Sequence, residues 1–182
     1  MYLIMENLRS YLSSEEIQAA CNGGRLLKAG VASNQQTPLF LGRRFAYQGD
    51  KSKIFNSGGS GYSINKAALK TLVTSFPSCF PNLKTFSEDT MVATCFRQRG
   101  ILAYETRDDR GGERYMPFAP GHHLNYRPPK NNPENDWYMK YQVDTLRVGF
   151  DHCSEQSVAF HYIKPDMMKR MHAILYGYCT DN

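Results

Sequence analysis

The chain has no run approaching the roughly 20 apolar residues that a bilayer-spanning helix needs, so nothing in these 182 residues reads as a membrane span. The opening stretch Met1-Tyr2-Leu3-Ile4-Met5-Glu6 lacks the basic flank and cleavage site of a secretory leader. Internal repeats, heptads and low-complexity tracts are absent, which excludes solenoids and coiled coils. Cysteine is sparse and odd in number: five leave at least one unpaired, unlike a disulfide-built scaffold. Concentrated charge is missing too. Net charge is +5, but the longest basic cluster, 164–170, is interrupted by Pro165, Asp166 and two methionines. That is a solvated mixed surface and not a nucleic-acid stripe.

What is present suits one domain of ordinary size: 41% hydrophobic and 13% aromatic residues can build a substantial core. The stretch around which the chain is organised is Ser57-Gly58-Gly59-Ser60-Gly61-Tyr62. Its three glycines remove the bulk that keeps a ligand from the backbone; a tight turn or flexible linker is the plain alternative. Ser63 is a suitable N-cap, and 65–75 has helical spacing of apolar residues. A glycine loop opening onto a helix reads as a ligand wall.

Met1 to Leu12 reads as a strand end running into an amphipathic helix, with Ile4, Leu8 and Leu12 four apart. The expectation is therefore that the chain starts mid-fold, because no repeated βαβ units supply a parallel nucleotide-binding sheet. Residues 13–38 are polar and small, with helical turns at Ile17–Ala20 and Leu26-Leu27, and read as a surface insertion. Residues 39–41 form a short buried strand and 45–55 a hairpin arm. The two prolines of 76–82 mark an ordered loop. Ser87 caps a helix that carries Glu88 and Asp89 in its first turn, sets Met91, Val92, Cys95 and Phe96 on one face, and ends at Gly100. Ile101–Tyr104 and Ser157–Ile163 read as strands. Pro165 opens a last helix whose stripe of Met167, Met171, Ile174, Leu175 and Tyr178 is expected to be a core face. Cys79 and Cys95, if bridged, would close a loop worth about 3 kcal/mol.

Taken in order, Glu6-Asn7-Leu8-Arg9, Gly58 to Tyr62, Glu88-Asp89-Thr90, Pro117-Phe118-Ala119-Pro120 with His122-His123-Leu124, and Val158-Ala159-Phe160-His161-Tyr162 resemble the core 1 β1,3-galactosyltransferases, a Fringe-like family. The resemblance covers nearly everything outside 13–38. It implies an α/β fold, the C-terminal part of a GT-A glycosyltransferase domain with a mixed sheet flanked by helices and the upstream nucleotide-binding strands missing. The implied reaction is inverting transfer of galactose from UDP-galactose to the 3-hydroxyl of O-linked GalNAc on a glycoprotein, with manganese, in the Golgi lumen. A homodimer is implied, nucleic acid is not, and a membrane is reached only through an N-terminal anchor outside this chain.

Such chemistry needs a metal for the leaving diphosphate, a base for the acceptor hydroxyl, and walls that align the sugars. The resemblance puts the base on Asp89 beside Glu88, for which a helix N-terminal charge is the plain alternative. His161 is the implied metal ligand, with His122 and His123 weaker candidates that otherwise cap a loop. Gly59, Ser60, Gly61 and Tyr62 would wall the sugars. Trp137, Tyr138 and Tyr141 match an acceptor-binding segment, or else a hydrophobic cluster. Cys79 and Cys95 match a family disulfide.

Two departures stand out. The family's Asp-x-Asp metal motif ends just before the position of Tyr2, and His152-Cys153 stands where the family has adjacent cysteines. The expectation is that this chain does not catalyse transfer alone. A non-catalytic T-synthase-like paralogue or chaperone-type binding protein is the alternative, and a sister transferase using another donor is a third reading.

Overall fold

The computed structural model describes residues 1–22, 36–82, 84–85 and 87–177. Leu26-Leu27, half of the 13–38 stretch and Tyr178 lie outside the described residues. The fold is mixed α/β. A short strand β1 (Tyr2–Leu3) leads into α1 (Met5–Leu12) and α2 (Glu15–Cys21). Ser14 caps α2 by accepting the Ile17 amide, and Ile17 is buried against Tyr11, Leu39 and Tyr115.

Strands β2 (Phe40–Gly42) and β3 (Arg44–Ala46) come next, followed by β4 (Ile54–Asn56) and β5 (Tyr62–Ile64). β3 and β4 pair antiparallel around the turn at 47–49, so the expected hairpin arm is present. β5 pairs antiparallel with β2 and separates the glycine loop from the following helix. The cap of that helix is therefore Asn65, whose Oδ1 accepts the Ala68 amide, and Ser63 lies in the strand instead.

Helix α3 (Lys66–Cys79) runs past the expected end at Ser75 and takes Pro77 into its last turn. There the proline costs one amide bond, and Phe80 N–H to Phe76 O closes the turn behind it. Helix α4 (Glu88–Gln98) starts after Ser87 as the sequence reading has it, although Ser87 makes no side-chain capping bond and Met91 is only partly buried; Val92, Ala93, Cys95 and Phe96 are buried against Phe40, Phe55, Ala68 and Leu72. Ile101–Tyr104 is reduced to a single bridge between Tyr104 and Leu41.

The remaining elements are β6 (Tyr115–Met116), α5 (Pro120–Asn125), α6 (Trp137–Lys140), β7 (Ala159–Phe160) and α7 (Pro165–Tyr176). β7 is central, antiparallel to β1 and parallel to β6, so the first and last parts of the chain share one mixed sheet. The final helix corrects an expectation. Its methionine stripe is not a core face: α7 has no buried residue, and Ile174 is 82% exposed. Among its apolar residues only Met171 packs on the core, and the helix is tied down by polar contacts of Tyr2 with His172 and Tyr176 with Glu6.

Candidate active site

The turn after β4 and the N-terminus of α4 meet. The Gly58 amide donates to Asp89 Oδ2 at 2.9 Å, while Asp89 Oδ1 accepts the Ser87 hydroxyl at 2.7 Å and the Thr90 amide at 2.8 Å. A carboxylate has about four lone-pair positions. Three are used here, so the group is held in one orientation with capacity left for a further proton. Glu88 is exposed and accepts the Tyr62 hydroxyl. Burial, followed by that hydrogen bond, pushes the Tyr62 phenol well above its ordinary range.

The loop's glycines have separate reasons. A Cβ at Gly58 would sit 3.3 Å from Asp89 Cβ, and one at Gly59 would overlap the His161 ring. Gly61 has a φ of +75°, which only glycine adopts readily, and a Cβ there would lie 2.7 Å from Met1 Sδ. The loop thus touches the acidic pair on one side and His161 on the other. Burial and then the Met1 ammonium hold the His161 imidazole below its ordinary range, with a backbone hydrogen bond at Pro117 acting in the opposite sense.

From His161 a series of aromatic rings leads away. His161 stacks on Tyr162 at 3.8 Å between centroids, Tyr162 lies parallel to Phe118 at 6.3 Å, and Phe118 meets Trp137 edge-on at 5.8 Å. Tyr162 and Trp137 are 66% and 50% exposed, so this is a shelf with open faces. Tyr162 holds a φ of +53°, a strained value for a bulky residue and one that clusters at functional sites.

The expected site residues divide accordingly. Gly59, Gly61, Tyr62, Glu88, Asp89 and His161 converge. Trp137 joins through the shelf, and Tyr141 packs beside it among Tyr47, Phe45 and Phe55. Ser60 and Tyr138 present no side-chain surface to a ligand: Ser60 is fully buried, and Tyr138 is 2% exposed with its hydroxyl 3.2 Å from His152. His123 is equally buried, while His122 stacks on Phe118 at 4.1 Å. Phe118 and Tyr162 were visible in the sequence only as members of motifs; an exposed aromatic after the strand histidine was the available signal. Cys79 and Cys95 are bonded, tying the end of α3 to the middle of α4. Clefts of about 330, 400 and 420 Å³ open elsewhere and include none of the converging residues in their linings.

As to a metal, His161 fits one imidazole position, being half-buried and held below its ordinary range by burial. Among the described residues no group of three or more His, Cys, Asp or Glu is arranged to hold an ion. No helix among them is long and apolar enough to cross a membrane.

No protein-family model matches the chain. It is 29% identical over 175 residues, 96% of its length, to a Xenopus laevis protein named glycoprotein-N-acetylgalactosamine 3-beta-galactosyltransferase 1. The chain spans 42% of that relative. An alignment that covers nearly the whole chain supports what the ordered motifs implied: this chain is similar to the T-synthase-like galactosyltransferases.

Proposed function

We propose that this chain is the acceptor-side part of a glycosyltransferase, one that moves galactose from UDP-galactose to the 3-hydroxyl of GalNAc on a glycoprotein with inversion. The observation that carries the reading is the meeting of Gly58, Asp89, Gly59 and His161 at one loop. Asp89 takes the proton of the acceptor hydroxyl. Its carboxylate is oriented by one loop amide and two α4 groups, so little reorganisation is needed at the moment of transfer. Glu88, steadied by Tyr62, bonds a neighbouring sugar hydroxyl. Tyr162 and Trp137 offer open ring faces to the apolar side of the sugar or its peptide. His161 would give manganese one ligand, the others coming from outside the described residues; when bound, the ion would supply charge neutralisation for the departing diphosphate. The 182 residues alone are accordingly inactive, and the setting is the Golgi lumen, with the chain forming part of a single GT-A domain.

The test is transfer from UDP-galactose to a GalNAc-bearing peptide by the longest natural product containing this chain. Asp89→Asn is expected to lower kcat by about 100- to 10,000-fold, the usual worth of a general base. Full activity in that variant would remove Asp89 from the role. Absence of any manganese-dependent transfer by the parent protein would instead leave a T-synthase-like binding protein.

A further inference from the structure

The cleft of about 330 Å³ lies toward the end of α4 remote from Asp89. Asp89, Ala93 and Arg97 follow one another at four-residue steps on one face of that helix, and the rise from Asp89 to Arg97 is about 12 Å. Strand β4 runs along this face. The Ile54 carbonyl at its start accepts from Arg97 Nη1 at 3.1 Å, and Gly58 beyond its end donates to Asp89. The same two elements therefore carry the acidic pair at one end and the cleft at the other.

The floor of the cleft is apolar, made by the buried Phe40 and Ala93 with Ile54 and Ile101, and Leu102, 69% exposed, stands on its rim. Its charged lining is of one sign: Arg44, Lys51 and Arg97, with no carboxylate. Arg44 is already taken by Glu105 and Asp144. Lys51 is exposed, and neither it nor Arg97 has a carboxylate partner among the described residues. Arg97 gives Nη1 to the Ile54 carbonyl and Nη2 to the Thr94 hydroxyl at 3.2 Å, both neutral acceptors. Its guanidinium is thus held in place with its charge uncompensated and with donors to spare. A carboxylate is the acceptor that such a group binds most strongly.

The wall at 101–103 adds a second kind of contact. The Ile101 and Tyr104 amides are taken by the Phe96 and Phe40 carbonyls, whereas those of Leu102 and Ala103 meet no protein acceptor among the described residues. We propose that this cleft binds an extended segment of a partner protein in which an acidic residue adjoins an apolar one. The apolar side chain lies on the Phe40 and Ala93 floor, the carboxylate meets Arg97 with Lys51 outside it, and the main chain runs against Leu102 and Ala103, as in strand addition. A free amphiphilic anion would use the floor and Arg97 but would leave the two amides idle.

The inference concerns binding at the cleft and no transfer is measured, so it stands or falls apart from the transferase reading. The probe is a dye-labelled peptide of alternating aspartate and leucine, titrated with the full chain by fluorescence anisotropy. A lysine and leucine peptide and an aspartate and serine peptide are the controls. Saturable binding of the first alone is expected, weakening as salt rises. Arg97→Gln should weaken it at least about tenfold, the worth of a hydrogen bond to a charged group. Leu102→Asp, which sets a carboxylate on the rim at an exposed position, should weaken it by a similar factor, and Lys51→Gln by about two- to fivefold. The backbone amide signals of Leu102 and Ala103 should move as the peptide is added. Equal binding of the lysine peptide, absence of saturable binding, or binding untouched by Arg97→Gln and Leu102→Asp overturns the proposal. So does octanoate that binds the cleft while the peptide leaves the Leu102 and Ala103 signals unmoved, the result for a small-molecule site. Should Arg97→Gln not fold, the exposed Leu102→Asp and Lys51→Gln decide.

Discussion

At the residue scale the loop is governed by what a methyl group would strike. Gly59→Ala would push its Cβ into the His161 ring, whereas Gly58→Ala meets Asp89 at 3.3 Å, a distance that a small shift relieves. Gly59→Ala is therefore expected to displace the imidazole, seen as a changed His161 ring signal, with a loss of transfer at least tenfold greater than for Gly58→Ala. Equal effects would mean that the loop does not set the His161 position. The glycines, the acidic pair and His161 were legible in the sequence because each belongs to a short motif whose order along the chain could be read. The left-handed Tyr162 and the stacked His123 and His152 were not. Backbone sign at a bulky residue and ring contact across 29 positions are set by packing, and no local period encodes them.

At the scale of elements, helical periodicity was a good guide where a partner surface lies within the described fold and a poor one where it does not. Helix α4 buries the face its spacing announces. In α7 the same kind of stripe marks an apolar face without marking what covers it, and the helix stands largely exposed. The end of α3 was misread because proline is tolerated in a final turn that needs few further amide bonds. That extra turn brings Cys79 to within 5.2 Å of Cys95 between Cα atoms and lets the disulfide join α3 to α4. Closing a loop of this size is worth about 3 kcal/mol. Reduction is expected to lower the urea midpoint by a corresponding amount while leaving the helical signal at rest, because Ala68, Leu72, Val92 and Phe96 pack against one another without it. An unchanged midpoint after complete reduction, verified by thiol titration, would show that the bridge does not constrain the unfolded chain.

At the scale of the whole molecule, a buried ion pair connects parts that the sequence presents far apart. Arg43, 4% exposed between β2 and β3, pairs with Glu113 just before β6, bonds Gln142 after α6, and lies over the Phe45 ring at 5.1 Å. Glu113 in turn donates its amide to the His152 carbonyl at 2.8 Å and accepts from the Ser154 amide at 2.9 Å. One guanidinium thus joins the aromatic core around Phe45 and Tyr138 to the entry of the mixed sheet. Breaking one side of such a pair leaves an uncompensated buried charge, at a cost of about 3–5 kcal/mol, while replacing both partners with apolar residues of similar size is often neutral. Glu113→Gln should therefore lower the unfolding free energy by about that amount. The double variant Arg43→Met with Glu113→Leu should recover most of it, and a denaturant-based double-mutant cycle measures the coupling directly. A loss under about 0.5 kcal/mol for Glu113→Gln, the range of an ordinary surface change, would mean that the two charges are hydrated and that the core and sheet are held together by apolar contacts alone.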